Sequence, residues 1–566
     1  MDAQLPRKER VYGRHEIEAL IAAGRSIVIV DNKVLQVDAW TPYHPGGDKV
    51  IQHMVGRDAT DEVTRFHSNE TLKLMDRYQI GRIQGRWMNF LPPIQGGKFR
   101  TQDDLHNARA QKNSPMLSSE EDAGSLPPSA DQSPIFEPAD QASTLRRRNE
   151  STMHRTPSAS SVSSVDMEEP LTIKKMSVLD RRTQKELDFD RAKYPSLDTK
   201  TQDNITEKYR ALQKRITAEG LYDCNYMAYG VECLRYATFF AAFMVLLKSG
   251  WYITSAIPLA MFWHQLTFTV HDAAHMGITH DLATDSTIAM FVAAWLGGLS
   301  AGWWKRSHNV HHVVTNDPEH DPDIQYIPIF AVTHRFLSNL TSTYHEKLME
   351  YDAVAKILVR IQHYTYYPIM AVARFNLYRL SWEYLLSDKA PKKGPAWWFR
   401  YFEILGVLVW LTWFGYGVVY KSLPDNSTRF WFLLLSHALT SPLHVQITLS
   451  HFAMSTADLG VHESFAQKML RTTMDVDCPQ WLDFFHGGLQ FQAVHHLYPR
   501  VPRHNLRKTQ KLVQEFCEEV DIPYALYGFV DGNKQVVGKL AEVARQAAIL
   551  AECQRTMAAE GDYVLH

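Results

Sequence analysis

The sequence predicts a multidomain chain: a small α+β domain first, then an all-α membrane domain with about four membrane-spanning helices. Three observations predict it. A β-branched hairpin pattern near the start sits among short helical stretches. Four apolar blocks of near-membrane length follow in two close-set pairs. A long Ser- and Pro-rich stretch separates the two parts. With 566 residues there is room for about three to four domain-sized units. A net charge of -2 gives no basic excess to drive nucleic-acid binding, and 45% hydrophobic residues exclude a wholly disordered chain.

Residues 8–84 form the α+β unit: His15 to Ala23 is helical, and Ser26–Val30 and Lys33–Val37 flank the turn pair Asp31-Asn32. The loop TPYHPGG comes next, and YQIGRI supplies a closing strand. Residues 86–180 are rich in Ser, Pro and charge and are expected to be a disordered linker. The membrane domain is expected over 183–530, with spans at 233–248, 251–270, 397–420 and 430–450. Apolar stretches at 287–304 and 367–386 are broken by Gly or Arg and read as interfacial helices. Residues 531–566 read as a C-terminal helical tail. The opening MDAQLPRKERVYG lacks the charged-then-apolar pattern of a secretory leader. Five scattered cysteines without a CxxC pair exclude a disulfide scaffold and a thiolate zinc site, and suit a reducing compartment.

Two membrane hairpins return the chain to one face, so residues 1–232, 271–396 and 451–566 are expected together there. That face carries Lys305, Arg306, Arg374, Arg500 and further basic residues, which the positive-inside rule assigns to the cytosol.

Two sets of histidines carry chemistry. His44 lies in His-Pro-Gly-Gly after the second strand, and His67 lies in Phe-His-Ser, 23 positions on. Facing each other across an apolar pocket lined by residues such as Leu35 and Val50, two imidazoles fill both axial positions of a haem iron. A filled axial pair carries single electrons rather than activating O2. HPGG, then DAT, then FHS resembles cytochrome b5.

The second set is three clusters: His271 and His275; His308, His311 and His312; and Gln492, His495 and His496. Spacings of three and four project side chains from one helical face. All three clusters open to the same side, supplying seven histidines and one glutamine. So many neutral nitrogen ligands suit a redox-capable metal, most plausibly iron, and oversupply one ion; two non-haem irons fit. His451, closing the last apolar block, joins the set as a candidate ligand. Gln492 either ligates weakly or bonds a metal-bound water. Asp272 and Asn309 are candidates to orient ligand rings. His264, His437 and His444 read as helix-packing residues, and His280 and His320 as flanking or surface groups.

HDAAH, SHNVHH and QAVHH resemble the three histidine boxes of membrane acyl-lipid desaturases. Gln492 heading the third box, with an N-terminal haem unit, resembles the front-end branch. YPSLDTKTQ, GWWKRSHNVHHVVTNDPEHDPDIQ and FQAVHHLYPRVPRHNL are most similar to fungal Δ8 sphingolipid desaturases. The likeness covers roughly 8–84 and 183–530 and omits the linker. It implies an O2-dependent enzyme of the endoplasmic reticulum membrane placing a trans Δ8 double bond in the sphingoid base of ceramide or a glucosylceramide precursor. It also implies haem b, two non-haem irons and a flavin NADH-cytochrome b5 reductase. The boxes and the haem ligands fall at His271, His275, His308, His311, His312, Gln492, His495 and His496, and at His44 and His67.

The chemistry agrees independently. Reducing O2 to two waters takes four electrons, of which a CH2–CH2 unit supplies two and a bis-His haem the other two, one at a time. A tethered haem raises the local donor concentration. A front-end fatty-acyl desaturase is the alternative substrate reading. A hydroxylase would add an oxygen atom to the product, and a non-enzymatic membrane-anchored electron carrier would hold haem but no other iron.

Overall fold

The computed structural model describes residues 7–105 and 177–559. In the first part, β1 (Ile27–Val30), β2 (Lys33–Gln36) and β3 (Gln79–Arg82) form an antiparallel sheet in the order β1-β2-β3. Asp31 and Asn32 both take positive φ (51° and 60°), the two-residue turn whose twist matches a hairpin. Ile17, Ile21, Ile27, Ile29, Val34 and Ile80 pack on one side of this sheet.

The start of the predicted linker differs from expectation. Residues 86–105 are folded onto the haem-type unit. Phe90 is fully buried in its core, the Trp87 indole donates to Gly56 O (3.0 Å), and the Arg100 guanidinium pairs with Glu18 (2.9 Å). These anchors outweigh the Pro and Gly around them. The reading of disorder for 106–176 falls outside the described residues, and a helix, Val178–Lys193, begins before the linker's expected end.

Among the described residues, three helices are long and apolar enough to cross a membrane: Tyr226–Lys248, Phe399–Ser422 and Asn426–Phe452. The fourth predicted span is a helix, Tyr252–Ala274, that packs against Tyr226–Lys248 around Phe243, Leu259 and Phe262. It differs from the other three because it buries Ser255, His264, Gln265, Thr269 and Asp272, which lower its apolarity. Gly250 (φ 79°) turns the chain between the two.

The single interfacial helix expected at 287–304 is two pieces. Leu282–Met290 continues as a π-wound turn to Leu296, and a new helix, Ala301–Val313, starts at the Ser300 cap. Gly298 sits between them at φ 71°, where a Cβ would meet the Trp410 ring at 2.5 Å. The 367–386 stretch is the second half of a 34-residue helix, Ala353–Leu386. Against it lies Phe529–Ala559, the expected tail; its Val536, Leu540 and Val543 share a core with Val359, Tyr366 and Met370. That helix is a structural wall of the membrane domain.

The haem-type unit docks on the Ala301–Val313 helix. Val28, Val30, Leu35, Val37 and Met54 form one buried cluster with Val310, Val313 and Val314. Polar contacts frame it: Arg306 pairs with Asp48 (2.5 Å), Arg500 donates to His67 O (2.8 Å), and Lys49 pairs with Glu346.

Candidate active site

His44 and His67 face each other with ring centres 6.0 Å apart. His44 Nδ1 is bonded to Gly47 O (2.9 Å) and His67 Nδ1 to Val63 O (2.8 Å). Each ring therefore donates through Nδ1 and keeps Nε2 as a bare acceptor. Two metal–nitrogen bonds of about 2 Å, plus roughly 1 Å from each nitrogen to its ring centre, add to about 6 Å. The pair thus fits one iron with an axial imidazole on either side. Burial pulls both imidazoles down, His67 to about 4, so both are neutral and ready to ligate. Leu35 is buried and Val50 packs with it in the same cluster, as the sequence suggested.

The three other histidine clusters converge. His271 and His275 leave the end of Tyr252–Ala274, His308, His311 and His312 lie on Ala301–Val313, and His495 and His496 lie on the short helix Gln492–Leu497. In one group, ligand atoms of His271, His275, His308 and His495 all lie within 4.8 Å of one another; in a second, those of His311, His451 and His496 do. His312 stands between the groups: its Nε2 is 3.0 Å from His308 Nε2 and 3.2 Å from His495 Nε2, and its ring stacks on His496 at 4.1 Å. Nitrogens bound to one ion at about 2.1 Å lie up to about 4.2 Å apart, so atoms gathered within 4.8 Å are close to the spacing that one metal in each group requires. Gln492 lines the adjoining cavity with His271, His308, His311 and His451.

Two acids from the segment after the second cluster, missed by sequence reasoning, orient the rings. Asp321 is fully buried and meets His311 Nδ1 at 2.8 Å, and Asp323 meets His308 Nδ1 at 3.3 Å. The signal was the acid-rich run Asp-Pro-Glu-His-Asp-Pro-Asp. Asn316, at φ 60°, holds the cluster's frame together: its amide donates to His451 O (2.8 Å) and Thr472 O (3.1 Å), and its N–H to Asp321 (2.7 Å).

The electrostatics separate one ring from the rest. Burial holds His308, His312, His495 and His496 well below the ordinary imidazole value, and neighbouring imidazoles add to the effect. For His311, burial pulls down, but the charge and hydrogen bond of Asp321 outweigh it and the net shift is upward. Neutral nitrogens are what a metal requires.

Other expected roles change. Asn309 does not orient a ligand ring; its amide donates to Gly46 O (3.4 Å), across the domain boundary. Asp272 lies 3.8 Å from His271 Nδ1, too far for a hydrogen bond, and instead accepts from Arg503 (2.5 Å) and from Tyr229. Arg503 also pairs with Glu232, so this network ties the third cluster to the first. His280 clips two backbone carbonyls, Met276 O and Tyr222 O, and His320 bonds Thr343. His437 stacks on Phe375, with ring centres 4.5 Å apart, and His264 on Phe485 at 5.0 Å, as packing residues do. His444 lines the cavity instead.

That cavity, about 150 Å³, opens beside both histidine groups and is walled mostly by apolar side chains such as Leu266, Val292 and Phe452. Its apolar lining meets His271, His308, His311 and His451.

The Cytochrome b5-like Heme/Steroid binding domain family matches residues 14–84, and the Fatty acid desaturase family matches residues 249–528. A Delta 8-(E)-sphingolipid desaturase of Emericella nidulans is 56% identical over 559 residues, 99% of each chain. One of Kluyveromyces lactis is 47% identical, covering 97% of this chain and 96% of its own. An Acyl-lipid (9-3)-desaturase of Borago officinalis is 35% identical over 61% of this chain and 76% of its own. This chain belongs to the fungal Δ8 sphingolipid desaturase family. The desaturase therefore carries a cytochrome b5-type haem domain fused to a membrane desaturase domain, and is an oxidoreductase. In it, the docked haem unit touches the second histidine box directly: the Phe66 ring meets His312 edge-on with centres 5.6 Å apart.

Proposed function

We propose that this desaturase places a trans Δ8 double bond in the sphingoid base of ceramide or a glucosylceramide precursor. One observation carries the mechanism: three histidine clusters and His451 converge in one buried site against which the bis-His haem unit docks. The near full-length similarity supports the substrate class.

His44 and His67 hold haem b. His271, His275, His308, His312 and His495 hold one non-haem iron, and His311, His451 and His496 a second. When bound, the iron pair supplies O2 activation and the oxidising power that an unactivated methylene C–H demands. Asp321 and Asp323 fix the ring orientations of His311 and His308. The apolar cavity wall holds the alkyl chain extended past these ligands and excludes water. Gln492 borders the reacting segment as a polar contact.

The CH2–CH2 unit gives up two hydrogens with two electrons, two further electrons and two protons enter, and O2 leaves as two waters; haem b held by His44 and His67 would supply those two electrons one at a time. A flavin NADH-cytochrome b5 reductase would be the electron source for that haem. The protein sits as a multi-pass component of the endoplasmic reticulum membrane, with haem domain, histidine boxes and both termini cytosolic.

Expression in a host lacking 8-unsaturated sphingoid bases, followed by lipid analysis, tests this. The expected product is an 8-unsaturated base two hydrogens lighter than its precursor. Changed fatty acids with unchanged sphingoid bases would instead establish a front-end acyl desaturase, the reading closer to the Borago officinalis relative. A product heavier by one oxygen would establish a hydroxylase.

A further inference from the structure

The Lys305 ammonium has no hydrogen-bond partner among the described residues: its Nζ is buried and donates to no acceptor there. An ammonium in that position costs several kcal/mol unless an anion meets it. The carboxylate that acts on it, Asp285, is already committed: it accepts from the backbone N–H groups of Thr279 (3.0 Å) and His280 (3.2 Å) and from the Thr279 hydroxyl (2.7 Å).

The position of Lys305 says which anion is missing. It lies one helical turn before Asn309, on the same face of Ala301–Val313. Asn309 touches Gly46 in the His44 loop, and the adjacent Arg306 grips Asp48 just beyond it. The positive charge of Lys305 reaches both His44 and His67. Haem carries two propionate carboxylates on one edge, and a haem held between His44 and His67 would lie beside this interface, where Lys305 could meet one of them.

We propose that Lys305, a residue of the membrane domain, holds a carboxylate of the haem bound in the cytochrome b5-type domain, so that both domains complete one haem site. The proposal rests on the haem reading of His44 and His67. It makes haem binding and domain docking mutually dependent: each strengthens the other through a charge-assisted hydrogen bond.

The test uses the purified full-length chain loaded with haem b or with haem dimethyl ester, which has no free carboxylate. Transfer of haem to excess apomyoglobin gives the release rate, and spectroelectrochemistry the potential. Lys305→Gln is expected to release haem b about tenfold faster than wild type. Its potential moves negative, because a positive charge beside the haem favours the reduced form. Lys305→Arg stays close to wild type. With the dimethyl ester, wild type and Lys305→Gln become equal. Equal release of haem b by wild type and Lys305→Gln overturns the proposal, as does a difference that survives in the ester. If Lys305→Gln does not fold, the wild-type protein still decides: the ester must leave about tenfold faster than haem b, and equal rates overturn the assignment. A chain that binds no haem at all refutes the haem reading instead.

Discussion

Phe66 meets His312 edge-on with ring centres 5.6 Å apart, so the residue preceding His67 touches the second histidine box. The cytochrome b5-type domain and the second histidine box therefore touch through an aromatic contact. Phe66→Leu keeps apolar bulk at the interface and removes the ring. The expected result is a protein that binds and reduces haem normally and keeps its non-haem iron, but reoxidises reduced haem several-fold more slowly during turnover. Stopped-flow absorbance at the haem band measures this, and an unchanged rate places the electron path elsewhere.

Asp321 is the buried acid that fixes His311. Asp321→Asn keeps the shape and loses the charge, so iron affinity should fall about 10–100-fold. Iron retained after dialysis against a chelator reports the loss, while the haem spectrum stays as in wild type. A variant that keeps its iron would show that the acid serves only the loop around Asn316.

The buried imidazoles set a pH response. His308, His312, His495 and His496 stay neutral in the folded chain well below 6.5, whereas the unfolded chain protonates them near 6.5. Between those values the unfolded state binds more protons, so stability rises with pH and is lost as pH falls below about 6.5. Thermal melts of the detergent-solubilised apoprotein from pH 7.5 to 5.5 should show a falling midpoint. A midpoint that rises on acidification would contradict the burial of these rings.

Arg471 is almost fully buried and binds Glu463 through two nitrogens (2.8 Å each) and Asp190 (2.9 Å). It fastens the Val178–Lys193 helix to the segment that bears the Asn316 acceptor Thr472. Arg471→Met strands two buried carboxylates and should cost about 3–5 kcal/mol. Denaturant unfolding measures it, and the further changes Glu463→Gln and Asp190→Asn should recover much of the loss.

The hairpin at Asp31-Asn32 and the histidine clusters were legible because their signals are local: alternation, turn residues and helical spacing. The convergence of His451 with His311 and His496 was legible from its place at a span end. Partners chosen by tertiary packing were not. Asn309 lies among the box ligands in sequence, yet it bonds the His44 loop because the docked haem unit covers that face of the helix. Asp272 lies beside a ligand, yet Arg503, more than two hundred residues on, claims its carboxylate. The order in 86–105 rests on Phe90 and Trp87, two anchors in a stretch whose average composition reads as linker.

His271, His275, His308, His311, His312, His451, His495 and His496 are proposed to hold paired iron beside a bis-His haem. Total iron and haem measured on the same purified full-length protein test it most directly. Paired iron gives about three irons per haem, falling towards one in a His311→Ala, His275→Ala double variant whose haem spectrum is unchanged. One iron per haem in the active wild-type enzyme would contradict it.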